Sequence, residues 1–165
     1  MSIEFVTWPL SQEHERDAFA CGVEALDNYL KTQAGQDIRR RVSKCFVAVP
    51  RGSNVVAGYY TLAASSIPTF ELPAEFSRRL PRYPLVPAVL IGRLAVDRKY
   101  LGHHLGSSML DDAIARVEAS DPAVYALVVD AIDDKAAGFY RHFGFLPLPP
   151  NPLSLFLPMA TAMKL

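Results

Sequence analysis

The sequence predicts a single domain of the α/β class that spans residues 1–165. The chain has 165 residues, of which 50% are apolar, and this is enough to bury one core. Runs rich in Val, Tyr and Phe, typical of strands, alternate with runs whose apolar residues recur at helical spacing. The predicted order is β-α-α-β-β-(α)-β-α-β-α-β-β, in which the bracketed helix is short.

The first half of the chain predicts three strands and one helical region. The strands are expected at 3–10, 44–50 and 55–64. Arg-Gly-Ser-Asn separates the second strand from the third and is typical of a hairpin turn. Residues 22–41 predict one or two helices, with Gly35 as a possible break.

The second half predicts the longest strand and two helices. In order, a short helix is expected within 73–80, strands at 87–97 and 124–131, helices at 105–120 and 133–144, and two last strands around Phe145 and at 154–164. Asp133 can cap the last helix and Gly144 can end it, so both ends of this helix have a physical signal.

The sequence lacks the signals of a membrane, secreted or metal-binding protein. It has no run of about eighteen uncharged apolar residues, and acids stand where a signal peptide would be basic. Cys21 and Cys45 form neither a CxxC pair nor a disulfide framework, and the four histidines show no zinc spacing. We therefore expect a cytoplasmic protein that has no metal and no membrane partner.

Charge is unevenly distributed, although the net charge is zero. Residues 31–51 and 78–99 each contain six basic residues and one acid. Residues 1–30 contain six acids and 111–134 contain seven, each with one base. This distribution favours a basic surface for a polyanion, whereas the simpler interpretation is a set of solvated helix ends.

A short loop, 98-RKYLGHHLG-106, connects the longest predicted strand to the helix at 105–120. Gly-containing loops that lead from a strand into a helix bind phosphate through backbone N-H groups at the helix N-terminus. The loop therefore predicts a site for a phosphate-bearing cofactor. The alternative is an ordinary helix start without a ligand.

Four stretches together resemble one protein superfamily, the GNAT N-acetyltransferases that use acetyl-coenzyme A. The resemblance is narrower to the acetyltransferase toxins of bacterial type II toxin-antitoxin systems. The stretches are 19-FACGVEALDNYLKTQA-34, 58-GYYTLAASSI-67, 80-LPRYPLVPAVLIGRLAVD-97 and 139-FYRHFGF-145. The first and third are specific to the toxins, whereas the last identifies only the superfamily. The resemblance implies a GNAT acyltransferase fold of α+β type: a mixed sheet of six to seven strands, about four helices, and a splay at the fourth strand.

The resemblance also implies where acetyl-coenzyme A binds. Backbone N-H groups at the end of the fourth strand would stabilise an oxyanion, those of Leu94 or Val96 in particular. The cofactor-binding residues implied are Leu94, Ala95, Val96, Leu101, Gly102, His103, His104, Leu105, Gly106, Ser107 and Phe139. No metal is implied.

The loop departs from the superfamily pattern at two positions. Leu101 stands where Gln or Arg is usual, and His104 stands at the first required Gly. His104 can take the helical dihedral angles expected there, but its side chain needs space where phosphates approach. Its imidazole can also donate to phosphate. We expect weakened but retained binding of acetyl-coenzyme A.

Tyr140 occupies the position where the superfamily places a tyrosine beside the coenzyme A sulfur, so the resemblance implies that it protonates the departing thiolate. The alternative is an aromatic side chain packed on the sheet with Phe139, Phe143 and Phe145. No residue stands out as a general base, and the amine of an aminoacyl ester is partly neutral near pH 7 without one.

By resemblance the chain acetylates the α-amine of aminoacyl-tRNA and blocks translation. The candidate tRNA-binding residues are Arg39, Arg40, Arg41, Lys44, Arg78, Arg79, Arg82 and Arg93. Arg93 could alternatively pair with Asp97, and the other arginines could receive an acidic antitoxin segment. The resemblance implies a ribbon-helix-helix antitoxin, operator DNA bound through it, and a homodimer. Two rival functions are a small-molecule or protein N-acetyltransferase and a catalytically degenerate antitoxin-binding partner.

Overall fold

The protein, described over residues 3–162 in a computed structural model, forms a mixed sheet with helices between its strands. The strands are β1 (Phe5–Pro9), β2 (Lys44–Pro50), β3 (Gly58–Pro68), β4 (Leu85–Val96), β5 (Ala126–Asp130), β6 (Leu146–Pro147) and β7 (Ser154–Pro158). The α-helices are α1 (Glu24–Asn28), α2 (Ala34–Arg39), α3 (Ala74–Ser77), α4 (Leu105–Glu118), α5 (Asp134–Phe143) and α6 (Met159–Ala162). A π-helical turn, Tyr29–Gln33, joins α1 to α2, and 3-10 turns lie at Thr69–Glu71 and Arg98–Tyr100.

The strand order in the sheet is β1-β2-β3-β4-β5-β7-β6. β2 and β3 form the predicted antiparallel hairpin, with Val47 opposite Tyr59. β4 and β5 are parallel, and α4 makes the crossover between them. The mixed sheet of the predicted GNAT-type fold is therefore confirmed.

The chain separates into two compact units. The first contains residues up to 63 together with 92–113. Its core packs the segment 19–38 against β2 and β3, because the apolar side chains of the hairpin alternate onto one face. Phe19, Leu30 and Tyr59 are among the most deeply buried side chains of this core.

The second unit contains residues 64–91 and those from 114 onward. Its core includes Val86 of β4, Val128 of β5 and Phe156 of β7, with Phe76 of α3 packed edge-on against Phe156. Helix α5 has both predicted ends: Asp133 accepts a hydrogen bond from the N-H of Ala136, and Gly144 has a left-handed φ of 115°.

Two predicted elements are wrong in detail. Gly35 does not break the helical region but lies inside α2, and the irregular part is the π-helical turn before it. The last predicted strand, 154–164, ends at Pro158, where α6 begins; its last two residues lie outside the described residues. Strand periodicity continues into 159–162, but Met159 and Ala162 are both buried at helical spacing.

Candidate active site

The end of β4 extends past its pairing with β5. The parallel register runs from Ala88 to Ile91, whereas the strand continues to Val96. The five residues 92–96 therefore lie beyond the last position paired with β5, at the strand where the splay was predicted. Ala95 is buried in the core of the first unit, and Leu94 and Val96 are half-buried.

The backbone of the loop after β4 is accessible to a ligand. Gly102 has a φ of 84°, and a Cβ added to it would contact nothing within 4 Å. The first helical hydrogen bond of α4 runs from the N-H of Ser108 to the carbonyl of His104. The N-H groups of Leu105, Gly106 and Ser107 precede that bond, so none of them has a partner within the helix. They supply the donors expected of an anion site.

His104 lies in the left-handed region, with a φ of 57°. The prediction of right-handed helical angles at His104 is therefore wrong. The backbone takes the left-handed conformation, which glycine adopts readily and L-residues adopt at a cost of about 1–2 kcal/mol. The side chain is exposed, as is Leu101 at 65%. The left-handed backbone at position 104 thus explains why the family pattern has glycine there.

A buried carboxylate fixes the start of the loop. Asp97 is 5% exposed and accepts hydrogen bonds from the backbone N-H of Ala20, at 3.0 Å, and of Lys99, at 2.9 Å. The N-H of Arg98 donates in turn to the carbonyl of Ala20. The toxin-specific stretch 19-FACGVEALDNYLKTQA-34 therefore supports the loop directly. The sequence analysis missed this role of Asp97, although an acid directly after a buried strand was a usable signal.

Arg93 lies over the ring of Tyr29, with 3.5 Å between its guanidinium carbon and the ring centroid. The Tyr29 hydroxyl donates to Asp37 at 2.8 Å. Burial, followed by this hydrogen bond, raises the pKa of Tyr29 to about 12. Pairing of Arg93 with Asp97 was the alternative left open, but the carboxylate of Asp97 bonds to backbone N-H groups instead. Tyr29 and Asp37 are further residues that the sequence analysis did not assign to the site.

Tyr140 is 7% exposed and lies in α5 of the second unit. Its ring contacts those of Phe139 and Phe145 edge-on, at 5.2 and 5.3 Å between centroids. Burial raises the pKa of Tyr140 to about 12. Its hydroxyl makes no hydrogen bond with any described residue, so an aromatic packing role accounts for the ring but leaves the hydroxyl available.

The candidate tRNA-binding residues form two exposed groups, one in each unit. Arg39, Arg40, Arg41 and Lys44 surround the C-terminus of α2, and Arg78, Arg79 and Arg82 follow α3. None of these seven makes an ion pair with another residue in the range 3–162. Arg41 has a left-handed φ of 62° and closes α2 through N-H bonds from Arg41 and Val42 to Ile38 and Asp37.

The residues present suit a ligand with a phosphate and a thioester. The helix N-terminus and Gly102 leave backbone donors accessible, as a pyrophosphate requires. Thr61, 1% exposed, has no hydrogen-bond partner for its hydroxyl in the described structure, and a Cβ at Gly92 would lie 3.0 Å from that oxygen. The Thr61 hydroxyl is therefore a polar group without a partner in the described structure, beside Gly92, where the pairing of β4 with β5 has ended.

Two other kinds of site were sought over the same residues. No group of three or more His, Cys, Asp or Glu side chains within 3–162 is arranged to hold a metal ion. No helix in that range has the length and apolar character needed to cross a bilayer.

Residues 8–145 match the family model described as Acetyltransferase (GNAT) family. The chain belongs to the GNAT acetyltransferase family. It is also 39% identical, over 94% of its length and 93% of the relative, to a tRNA-acetylating toxin of Mycobacterium tuberculosis. It is 30% identical to a probable toxin TacT of Sinorhizobium fredii, over 92% of this chain and 89% of that one. The predicted resemblance to GNAT toxins is confirmed.

Solved structures extend this similarity. AtaT complexed with acetyl-methionyl-tRNAfMet has a TM-score of 0.90 and 28% identity, covering 98% of both chains. A tyrosine-to-phenylalanine mutant of AtaT bound to the C-terminus of the antitoxin AtaR and to acetyl-CoA has a TM-score of 0.81 and 28% identity, covering 98% and 97%. A KacTA-DNA complex has a TM-score of 0.80 and 26% identity, with the same coverage.

Proposed function

We propose that this GNAT protein is a toxin enzyme that transfers acetyl from acetyl-coenzyme A to the α-amine of aminoacyl-tRNA and so blocks translation. The observation that carries the proposal is the geometry of residues 92–107. There, a strand end beyond its pairing partner is followed by a helix N-terminus with open backbone donors. The similarity to the tRNA-acetylating toxin and to tRNA-bound AtaT supports the choice of acceptor.

Three groups of residues would hold acetyl-coenzyme A, which supplies the acetyl group as a thioester. The N-H groups of Leu105, Gly106 and Ser107 would donate to phosphate oxygens, together with the preceding loop residues Leu101, Gly102, His103 and His104. The backbone N-H of Leu94 or Val96 would be the donor to the carbonyl oxygen, on which negative charge develops, and Ala95 lies between them. Phe139, next to Tyr140 in the chain, would be the third group.

Tyr140 serves as the proton donor to the leaving sulfur. A phenol whose pKa is raised to about 12 keeps its proton at neutral pH, so it can donate but cannot act as a base there. The hydroxyl has no competing hydrogen bond within the described chain. The solved tyrosine-to-phenylalanine mutant of AtaT fits a functional tyrosine in a relative. A dedicated general base is not required, because the aminoacyl ester amine is partly neutral at this pH.

The acceptor is positioned by charge. Arg39, Arg40, Arg41, Lys44, Arg78, Arg79, Arg82 and Arg93 contact tRNA phosphates, which orient the acceptor end without reading bases. Exposure of the two groups and the lack of internal ion pairs within 3–162 support this role. The same arginines are a suitable surface for an acidic antitoxin segment.

The partners follow from the same proposal. A ribbon-helix-helix antitoxin neutralises the enzyme and brings it to operator DNA. The structures of antitoxin-bound AtaT and of the KacTA-DNA complex support an antitoxin partner and a DNA-bound complex. The enzyme acts in the cytoplasm as a homodimer.

The decisive experiment measures transfer of labelled acetyl from acetyl-coenzyme A to a pool of charged tRNA. Uncharged tRNA is the substrate control. Tyr140→Phe tests the proton donor, and Tyr125→Phe, which removes a phenol elsewhere in the second unit, is the matched control. We expect label on charged tRNA only, retained by Tyr125→Phe and largely lost by Tyr140→Phe.

Other outcomes assign the chain elsewhere. If acetyl-coenzyme A binds but no charged tRNA is labelled, the protein is an N-acetyltransferase for small molecules or proteins. If the cofactor does not bind to the folded protein, it is a degenerate member that serves as the antitoxin-binding partner. Full activity of Tyr140→Phe would reassign the acid.

A further inference from the structure

We propose that Arg93, held in place by Tyr29 and Asp37, forms a binding site for one phosphodiester of the acceptor, the phosphate nearest the aminoacylated nucleotide. This inference rests on the proposed function, and it adds a specific anion, a specific donor and two positioning residues. It separates Arg93, which is half-buried, from the seven basic residues that are exposed.

Arg93 has no direct ion pair with another described residue, and the bonds of the acids around it are made to other groups. The nearby carboxylate of Asp37 accepts from the Tyr29 hydroxyl at 2.8 Å and from Gln33 at 3.3 Å. Asp97, four residues further along, accepts two backbone N-H groups. Arg93 makes no ion pair or hydrogen bond with the rest of the described chain. Its guanidinium therefore keeps its donors for a ligand.

The ring of Tyr29 holds the guanidinium without consuming those donors. A cation over an aromatic face is attracted to the ring, while its N-H groups remain free at the edge. Tyr29 is itself fixed: it is 6% exposed, its ring stacks with that of Tyr59, and its hydroxyl bonds to Asp37. An arginine held in this way loses little side-chain entropy when it binds an oxyanion.

The backbone at Tyr29 is irregular. Tyr29 opens the π-helical turn Tyr29–Gln33, where the helix between α1 and α2 departs from regular geometry. Single π-helical turns inside helices occur frequently at functional sites. The turn places Tyr29 in the core while Asp37, in α2, remains within hydrogen-bonding distance of its hydroxyl.

The position of Arg93 identifies the anion. It directly precedes Leu94, which with Val96 is the proposed donor to the thioester carbonyl, so a ligand of Arg93 would lie close to the reacting amine. The carboxyl group of an aminoacyl-tRNA is esterified and carries no charge. The nearest anion to the amine is therefore the phosphodiester on the 5′ side of the terminal nucleotide, and the planar guanidinium matches its two oxygens.

The test is the salt dependence of kcat/KM for acetylation of charged tRNA. The variants are Arg93→Met, which removes the charge, and Arg93→Lys, which keeps it. Arg51→Met is the matched control, because Arg51 is exposed and pairs with Glu4. Loss of one single-strand phosphate contact should make the slope of log kcat/KM against log salt shallower by about 0.7 in Arg93→Met. Arg51→Met should keep the wild-type slope.

Arg93→Lys and two variants of Tyr29 test how the arginine is held and how it binds the phosphate. Arg93→Lys should keep the slope but lose about tenfold in kcat/KM, because an ammonium cannot present the bidentate fork. Tyr29→Leu, which removes the ring, should lower kcat/KM by about tenfold, and Tyr29→Phe, which keeps it, should lower it less. Thermal unfolding of each variant checks that it is folded.

Each adverse result has a separate meaning. If wild type labels no charged tRNA, the proposed function and this inference both fail. If wild type labels it and Arg93→Met keeps the wild-type salt slope, only the phosphate site is overturned. If Arg93→Met does not fold, wild-type kcat/KM in Arg93→Lys overturns the site.

Discussion

The carboxylate of Asp97 accepts a hydrogen bond at 3.0 Å from the backbone N-H of Ala20, a residue 77 positions earlier in the chain. The same carboxylate bonds to the N-H of Lys99. One buried acid therefore links the toxin-specific stretch to the loop that precedes α4. The position of the loop depends on this link, and this makes the loop sensitive to a change that lies outside any ligand contact.

We expect Asp97→Asn to destabilise the protein by about 2 kcal/mol and to weaken acetyl-coenzyme A binding. The amide offers one acceptor oxygen where two N-H donors need one each, so a buried donor loses its partner. Urea unfolding and a cofactor titration measure the two effects. Asp133→Asn is the control, because Asn caps a helix N-terminus about as well as Asp. Wild-type stability in Asp97→Asn would show that the link is dispensable.

His104→Gly should raise the free energy of unfolding by up to about 1 kcal/mol and tighten acetyl-coenzyme A binding. Glycine relieves the left-handed strain at φ 57°, although its greater freedom in the unfolded chain offsets part of the gain. Arg41→Gly is a matched variant, since Arg41 has φ 62°. It should gain similar stability with unchanged cofactor affinity. Equal affinity in His104→Gly and wild type would remove the penalty assigned to the imidazole.

Stability should fall at alkaline pH partly because of Tyr140. An ordinary phenol ionises at about pH 10, and Tyr140 at about 12 when folded. Below about pH 10 both states are protonated and the contribution is fully present. As pH rises toward 12, the unfolded chain releases its proton first, so the free energy of unfolding falls by about 1.4 kcal/mol per pH unit.

Urea unfolding of Tyr140→Phe at a series of pH values checks this expectation. The variant lacks the titrating group, so its stability should decline less steeply than that of wild type between about pH 10 and 12. Parallel declines would mean that burial does not raise the pKa of Tyr140.

Reversing the charges of Arg78, Arg79 and Arg82 to Glu should weaken the use of charged tRNA and flatten its salt dependence. Three lost phosphate contacts correspond to a slope change of about 2 to 3. Cofactor affinity should not change, and Arg51→Gln serves as the control. An unaltered salt slope would argue against tRNA contact. If antitoxin binding is lost instead, these arginines receive an acidic antitoxin segment.

Local sequence signals were sufficient where one residue determines one feature. The hairpin of β2 and β3 follows from its apolar alternation and its turn residues. Helix α5 follows from a capping Asp133 and a left-handed Gly144, because each acts through its own backbone. The loop between β4 and α4 was located for the same reason: a strand, a Gly-containing turn and a helix start are adjacent in sequence.

The sequence was insufficient where a competing interaction lies elsewhere in the chain. The sequence predicts the break in 22–41 at Gly35, yet the π-helical turn forms at Tyr29, whose ring and hydroxyl are held by Tyr59 and Asp37. The final strand stops at Pro158 because Met159 and Ala162 are buried on a helical turn. Neither outcome can be read from periodicity alone, because burial selects between two compatible patterns.

By itself, the sequence determined the fold class, the order of elements and the GNAT resemblance, and it supplied the loop, Tyr140 and the arginines as candidates. These depend on periodicity, turn chemistry and motif, which act over a few residues. Only the tertiary structure decided that Asp97 bonds to Ala20, that Arg93 lies on Tyr29, and that His104 is left-handed. Each of these features depends on contacts between residues that are distant in sequence, and such contacts form only when the chain packs.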